Sequence, residues 1–594
     1  MTTYNAPLKD MQFVLNDVLQ ISKYSNLPGF ADAPEDIVEA ILEEGAKLAG
    51  NVLHPINQSG DKEGCTRHED GSVTTPKGFK EAYAAYREGG WQGLSFDPEY
   101  GGQGLPYILA VAVGEMMSAA NMAFGMYPGL ARGAADAIHA HGTDEQKQKY
   151  LPNMIAGEWG GTMNLTESHC GTDLGLLRTK AIPQGDGSYK ITGTKIFISA
   201  GEQDLTDNII HLVLARIEGA PEGVKGISLF IVPKFLINDD GSLGARNGAS
   251  CGSIEEKMGI HANSTCVMNY DDATGYLLGD EHKGLRAMFT MMNEARLGVG
   301  MQGMAISEVA YQNGAAYAKD RLQGRGLTGP VEPEKPADPI IVHPDVRRML
   351  MDHRAFTEGA RGWMYWSALH GDLQHKSEDE ATRQKSEDYM GLMTPILKSY
   401  LTDKGYAHAT NAQQVLGGHG YITEWGMDQF VRDARITMLY EGTNGIQALD
   451  LVGRKLMKDG GRAWQTYFAE IDEFIKDNQD NEDLKPFLDG LGNVKEQTLE
   501  ATQWMGANAM KDFNNAGAGS ADYLSLFALT CLAYSWAMQA KAAIEKKDSG
   551  DDFYKNKLLT GQYFLDRMLP DAGMHLAKLK TGAKSMMALP AEAF

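Results

Sequence analysis

The sequence predicts a mainly α-helical protein with one β domain at its centre and an additional helical unit after the main helical bundle. Three observations predict it. Residues 1–158 carry Ala-, Met- and Leu-rich segments with apolar residues at helical spacing. From about Trp159 the pattern changes to short β-branched runs bounded by Gly, Pro and Asp. Helical spacing returns from Leu285 and continues past the break Asp459-Gly460-Gly461. The expected domains are therefore 1–158 (helical), 159–278 (β), 279–458 (helical bundle) and 459–594 (helical extension).

Each element follows from its own residues. In EDIVEAILEEGAKLAGNVLHPIN, Ile37, Ile41, Leu42 and Leu48 fall near one helical face. A Gly-rich break, Trp91–Pro106, precedes apolar helical segments that run to about Met154. In the β region Ile210, Leu212 and Leu214 alternate with His211, Val213 and Ala215, and Ile227, Leu229 and Ile231 sit at spacing two. These are strands, some of them apolar enough for burial on both faces. Met288, Phe289 and Met292 share a helical stripe with Leu285. The Pro-rich segment Leu322–Pro344 interrupts the bundle as a loop. Phe468, Ile471, Phe474 and Ile475 form an apolar face in the extension.

Composition narrows the function. The chain has 594 residues, 43% of them hydrophobic and 22% charged, which fits a folded globular protein and excludes disorder and collagen. Its formal net charge of −23 disfavours nucleic acid and anionic membrane surfaces as broad partners. An anionic ligand would need a local cationic pocket. The 5 cysteines form no CxxC and no metal-like cluster with histidine, so no metal is expected, and their sparse count fits a reducing compartment. The N-terminus reads as lacking a signal peptide, and no uninterrupted apolar run suggests membrane insertion. A cytoplasmic location is the expectation.

Among motifs, Gly298-Val-Gly-Met-Gln-Gly303 matches GxGxxG, but a helical pattern precedes it where a dinucleotide site needs a strand. Small residues that permit close helix packing are the better reading. Walker A, HExxH and GxSxG patterns are absent from the sequence. Four unusual segments remain. Thr166–Asp173 (TESHCGTD) offers hydroxyls and loop N–H groups to a ring edge or phosphate, or forms an ordinary turn. Gly193–Gly201 (GTKIFISAG) reads as a strand with Phe197 and Ser199 facing the same way, suited to one edge of a flat heterocycle or to a core. Gln413–Tyr421 (QQVLGGHGY) allows close backbone approach to a ligand, or is a helix C-cap and turn. Tyr440–Gln447 (YEGTNGIQ) holds Glu441 in a turn before an apolar run of Ile446, Leu449 and Val452. There Glu441 is either a helix-dipole partner or a general base in an apolar pocket.

In this order, on a helical–β–helical scaffold, the four segments resemble the acyl-CoA dehydrogenase superfamily from about Trp91 to Arg454. Further matches are Met292–Leu297 (MNEARL), Arg321-Leu322-Gln323, and Met427–Tyr440 with Arg432-Asp433. The length, the GTKIFISAGEQDLTDNI wording and the helical tail are similar to a bacterial subgroup of larger members that includes enzymes acting on a short thioether chain. The resemblance implies an N-terminal helical domain, a barrel-like middle, a C-terminal four-helix bundle and bound FAD. It implies α,β-dehydrogenation of an acyl-CoA thioester, with 3-methylthiopropanoyl-CoA (3-methylmercaptopropionyl-CoA) as the expected substrate and medium- or long-chain acyl-CoA as the alternative. An acyl-CoA oxidase and a non-catalytic flavin- or CoA-binding protein are the competing classes.

By the same resemblance, Glu441 is the base that removes the α-proton while a β-hydride leaves for flavin N5. Leu165, Thr166, Phe197 and Ser199 match positions around the flavin ring, and Thr172 one near the flavin phosphate or CoA. Arg321, Gln323, Gln414, Gly418 and Thr443 match further FAD contacts. Asn293, Arg296, Tyr440 and Gly442 match substrate positions. Four residues depart from the family pattern: Ser168 for Pro, Phe197 for Trp, Gly324 for Phe and Gly445 for Gln. An electron-transfer flavoprotein as electron acceptor and a homodimer or homotetramer are implied.

Overall fold

A computed structural model describes residues 2–594. The chain divides into two compact units, Met1–Glu43 with Pro106–Glu115 and Val299–Phe594, and Glu44–Leu105 with Met116–Gly298.

The second unit holds the β domain. Helices α1 (Met122–His141) and α2 (Asp144–Ile155) lead into strands β1 (Trp159–Asn164), β2 (Lys180–Pro183), β3 (Tyr189–Ser199), β4 (Asn208–Ile217), β5 (Ile227–Pro233), β6 (Ala249–Ile254) and β7 (Thr265–Leu278). Thr143 and Gln146 start α2 with reciprocal side-chain–backbone bonds, satisfying orphan helix donors. The sheet order is β6-β7-β3-β2-β4-β1, and β5 pairs with both β7 and β4. β5 thereby closes the path β7–β3–β2–β4 into a barrel, the middle architecture the resemblance implies. Pairings are antiparallel except β1 with β4 and β2 with β4, which are parallel.

The predicted alternation in β4 decides its packing. Ile210, Leu212 and Leu214 join a core with Ala134, Ile138, Tyr150, Met154 and Met288. Val213 and Ala215 join a second core with Ile191, Ile198, Phe230, Cys266 and Met268. Both faces of β4 are buried, which is why its sequence is apolar almost throughout. Each buried Ile, Leu or Val side chain contributes about 1.5–3 kcal/mol of hydrophobic transfer. Gly161 in β1 lies so close to α1 that a Cβ would meet the Ala134 Cβ at 2.7 Å.

The first unit is helical. Its main elements are α3 (Gly284–Asp320, which begins in the second unit), α4 (Pro344–Lys376), α5 (Glu380–Val415), α6 (Met427–Thr437) and α7 (Asn444–Asp450). The extension adds α8 (Arg462–Asp477), α9 (Lys485–Ala509), α10 (Phe513–Lys546) and α11 (Asp552–Tyr563). The GxGxxG match lies inside α3, as close packing requires. A Cβ on Gly303 would sit 2.5 Å from the Leu401 carbonyl, and one on Gly405 2.3 Å from the Gly303 carbonyl. Deep in this unit Arg361 bonds Glu115 at 2.7 Å and Glu308 at 3.0 Å and also pairs with Asp10.

Two expectations are corrected. Ile37 is 40% exposed, and Val38 takes the inward position instead. In α7 the buried residues are Gln447, Ala448 and Asp450, while Leu449 is 46% exposed, because the inward face serves the turn before it. No uninterrupted apolar run occurs in the sequence, yet by length and average composition helix α10 could cross a membrane. Its most apolar window is 67% buried within the protein, as a core helix would be.

Candidate active site

The Glu441 turn belongs to the first unit. Helix α6 ends at Thr437, and Tyr440 N–H still bonds back to the Ile436 carbonyl at 3.1 Å. The chain then reverses through two left-handed residues, Glu441 at φ +58° and Gly442 at φ +80°, before α7 begins at Asn444. Glycine at 442 suits its conformation, but a glutamate at 441 is strained there by about 1–3 kcal/mol. Surrounding bonds hold it. Gln447 Nε2 donates to the Glu441 carbonyl at 2.9 Å. Lys398 Nζ donates to the Gly442 carbonyl and to Asn444 Oδ1, both at 2.8 Å. Asn444 Nδ2 donates to Thr402 Oγ1 at 3.0 Å and to Asp403 at 2.7 Å. Tyr440 donates its hydroxyl to Gln302, and burial with the nearby Glu441 charge pushes the phenol well above its ordinary range. Thr443 is exposed beside these clamped residues.

Arg321 and Gln323 stand at the start of the Pro-rich loop, and both are exposed. The loop is organised around the buried carboxylate of Asp338. That carboxylate accepts from Gly326 N–H at 2.8 Å, Val331 N–H at 3.0 Å and Glu332 N–H at 2.8 Å. These bonds hold its pKa well below the ordinary carboxylate value. Main-chain bonds Gln323 N–H to the Asp338 carbonyl and Ile340 N–H to the Arg321 carbonyl fix where the two candidates stand.

At the other candidate FAD segment, α5 stops at Val415 and Gly417 turns at φ +58°. His419 stacks on Trp425 with centroids 4.6 Å apart, and its ring bonds the Tyr317 hydroxyl at 2.9 Å. This pins the turn. Gly418 and Gln414 remain exposed, and a Cβ on Gly418 would meet nothing within 4 Å.

The second unit carries the other candidates. Leu165 is buried and Thr166 half-buried after β1. Thr166 gives its carbonyl to Ile196 N–H at 2.9 Å, tying that loop to β3. β3 is not the regular strand the spacing suggests. Its register against β7 shifts between Cys266 and Met268, and Phe197 takes φ +60°. The bulge places Lys195 and Ile198 both inward and turns Phe197 out, 61% exposed, with Ser199 half-buried beyond it. A bulky aromatic in that conformation is an outlier. An outward ring and a nearby hydroxyl fit a flat heterocycle. Thr172 lies exposed on the preceding loop. On α3, Asn293 is exposed, and the half-buried Arg296 guanidinium lies 5.8 Å from the Phe289 ring centre.

The sequence reading missed the pair beneath this loop. Lys195 Nζ, fully buried, donates to Glu167 Oε1 and to the Leu165 carbonyl, each at 2.9 Å. Glu167 also accepts from Thr179 Oγ1 at 2.6 Å and Arg178 N–H at 2.7 Å. Burial would raise its pKa, but Lys195 and these donors override it and hold it at about 2. The expectation of no metal-like histidine cluster is corrected in one respect: Glu167, His169 and Cys170 bring potential ligand atoms within 4.8 Å. Glu167 is already committed to Lys195 and the neighbouring donors. A signal for the pair existed, since Lys195 is a lone cation in an otherwise apolar strand segment. Lys398 gave a similar signal within PILKSYLTD of α5.

Family models match in chain order: the acyl-CoA dehydrogenase N-terminal domain (40–158), middle domain (162–273) and C-terminal domain (282–457), then an acetyl-CoA dehydrogenase C-terminal-like domain (467–590). The chain is 40% identical over 589 residues, 98% of its length and 99% of the relative's, to 3-methylmercaptopropionyl-CoA dehydrogenase of Ruegeria pomeroyi. It is 35% identical to a broad-specificity linear acyl-CoA dehydrogenase of Mycobacterium tuberculosis, with 96% of both chains covered. An acyl-CoA dehydrogenase from Bacillus anthracis, solved with FAD, superposes with a TM-score of 0.75 at 22% identity, covering 92% of this chain and 89% of that one. The chain belongs to the acyl-CoA dehydrogenase family, oxidoreductases that act on CH–CH groups.

Proposed function

We propose that the protein is an FAD-dependent acyl-CoA dehydrogenase that converts 3-methylthiopropanoyl-CoA to its trans-2-enoyl thioester, with Glu441 as the base. The observation that carries the assignment of the base is the strained Glu441 turn, held by Lys398, Gln447 and Asn444. A helix-dipole partner needs no left-handed backbone and no buried lysine behind it. Strain that is retained against its cost marks a working residue.

The chemistry asks for such a base. The α-proton of a thioester is too weakly acidic for a carboxylate in water. A carboxylate shielded from water by the acyl chain becomes a stronger base. Donors to the thioester oxygen stabilise the enolate-like transition state. FAD, when bound, would supply the acceptor for the β-hydride. On this reading Phe197, Ser199, Leu165 and Thr166 lie along the flavin ring, and Thr172, Arg321, Gln323, Gln414, Gly418 and Thr443 serve the rest of FAD. Asn293 and Arg296 serve CoA, with Arg296 supplying a cation for a polyanionic ligand on an acidic protein. Tyr440 and Gly442 border the acyl group. An electron-transfer flavoprotein reoxidises the enzyme, which works in the cytoplasm as a homo-oligomer.

The substrate rests on the likeness to the Ruegeria enzyme, and the name of the Mycobacterium relative favours straight-chain thioesters as the second reading. The test is an anaerobic visible spectrum of the purified holoenzyme. Bleaching of the oxidised flavin by 3-methylthiopropanoyl-CoA, faster than by butyryl- or octanoyl-CoA, is expected. Faster bleaching by a straight-chain thioester transfers the assignment to the second reading. A protein that neither contains nor takes up FAD overturns both. Oxygen uptake matching turnover would identify an oxidase.

A further inference from the structure

We infer that Lys398 is a positioning residue for the reaction, holding the Glu441–Gly442 turn through a buried ammonium on the face of α5 behind it. The inference rests on the assignment of Glu441 as base.

Three features of the first unit converge on it. Lys398 is fully buried, and an ammonium is costly to bury unless it is well paired. Its Nζ spends two bonds on the turn, to the Gly442 carbonyl and the Asn444 side-chain oxygen, each at 2.8 Å. Its helical neighbours complete the mount. Thr402, one turn along α5, shares Asn444 with it, as do the Ser399 carbonyl and the Asp403 carboxylate. Lys398, Ser399, Thr402 and Asp403 thus form one polar stripe on α5, beside the buried apolar residues Leu397, Tyr400 and Leu401.

The stripe meets the turn on both sides of its strain. Gln447 fixes the carbonyl of Glu441, and Lys398 fixes the carbonyl of Gly442. With successive peptide oxygens pinned, the planes of those peptides cannot rotate independently, and the left-handed backbone at 441 and 442 is held in one arrangement. The direction in which the Glu441 side chain leaves the backbone is set with it. On the adjoining face of α5, Gly303 lets α3 press against the Leu401 and Thr402 backbone, so the mount itself is backed by close-packed backbone. A side chain that delivers a base to a proton gains most from this kind of rigidity, because small misplacements cost large factors in rate. The charge matters as well as the reach: an ammonium donates stronger bonds to carbonyl oxygens than a neutral group does.

The test uses the full-length holoenzyme and reads flavin content, melting temperature, the dissociation constant of the acyl-CoA, and the anaerobic rate of flavin reduction at saturating substrate. Lys398→Met is expected to slow reduction by about 30- to 100-fold per bound flavin while the dissociation constant changes by less than about 3-fold. Lys398→Gln keeps a donor for the Gly442 carbonyl and is expected to recover part of that rate. A purely structural lysine predicts a lower melting temperature with an unchanged rate per flavin, and that result in either variant overturns the inference. Where Lys398→Met yields no folded holoenzyme, Lys398→Gln decides alone: slowed reduction at unchanged substrate binding supports the inference, and a wild-type rate sinks it. Glu441→Gln is measured alongside. If it reduces flavin at the wild-type rate, the base assignment fails and the role of Lys398 falls with it. If it is inactive while the Lys398 variants are normal, only the positioning role fails.

Discussion

Lys195 Nζ meets Glu167 Oε1 at 2.9 Å in the interior of the second unit, joining β3 to the loop that carries Leu165 and Thr166. Neither side chain is more than 5% exposed. Removing one partner leaves a buried charge, so Lys195→Met is expected to cost about 3–5 kcal/mol of stability. Denaturant unfolding measures this, and flavin content should fall in parallel because the same lysine holds the Leu165 carbonyl.

The pair also has a pH signature. The pKa of Glu167 in the folded protein, about 2, lies below its ordinary value of 4.5. Its contribution is therefore fully present above about pH 4.5 and is lost as pH falls towards 2. Stability measured from pH 3 to pH 5 should rise more steeply in the wild type than in Glu167→Gln. Equal slopes would remove the pair from the acid response.

Phe197 supports a stability–function trade-off. At φ +60° its backbone stores about 1–3 kcal/mol, which glycine would release at an entropic cost of about 0.5–1 kcal/mol. Phe197→Gly is expected to melt higher than the wild type as apoprotein, by about 1 kcal/mol in stability, and to retain FAD less well. A variant that loses stability would show that the ring's packing outweighs the strain.

Glu441→Gln keeps the shape of the turn and removes the base. Anaerobic flavin reduction should fall by at least about 10²-fold with FAD content unchanged. Full activity in this variant would remove the mechanistic assignment.

The ease of reading these features from sequence followed the distance over which each is built. The β4 alternation, the small-residue pattern inside α3 and the turn before α7 are local patterns, and the sequence shows them directly, although α5 as the partner of α3 appears only in the fold. The bulge at Phe197 depends on register against β7, some 70 residues away, so periodicity alone suggested a regular strand. Lys398 lies 44 positions from Gly442, so its role could not be read from spacing. The inward face of α7 was misread because apolarity was taken as the guide to burial, whereas Gln447 faces inward to bond the turn. Asp338 escaped notice for a related reason: a carboxylate in a proline-rich loop reads as solvated, and only the closed loop shows its backbone donors.

Asp338 gives a separable test of that loop. Asp338→Asn replaces a carboxylate that accepts from three backbone N–H groups with an amide that can match them only in part. The loop should become sensitive to limited proteolysis between 324 and 336, and FAD should dissociate faster because Arg321 and Gln323 lose their fixed footing. The melting temperature of the core should change little. Unchanged proteolysis would show that the main-chain bonds at Arg321 and Gln323 are sufficient.

The helical extension is held to the rest of the first unit by buried charge as well as by apolar packing. Lys557 on α11 is 1% exposed and pairs with Asp10 and with Glu358, the latter at 2.6 Å. Asp10 in turn pairs with Arg361, so the extension completes the network around that guanidinium. Trp536 on α10 donates to the Ala355 carbonyl at 3.1 Å and lies where a Cβ on Gly359 would meet its Nε1 at 2.5 Å. Lys557→Met is therefore expected to cost about 3 kcal/mol. Lys547→Met, which breaks the exposed pair with Asp483, should cost no more than about 1 kcal/mol. Comparing the two by chemical denaturation separates burial from charge, because each variant removes one ammonium from the same extension. Equal losses would show that the Asp10–Arg361 pair compensates on its own and that α11 contributes through packing alone.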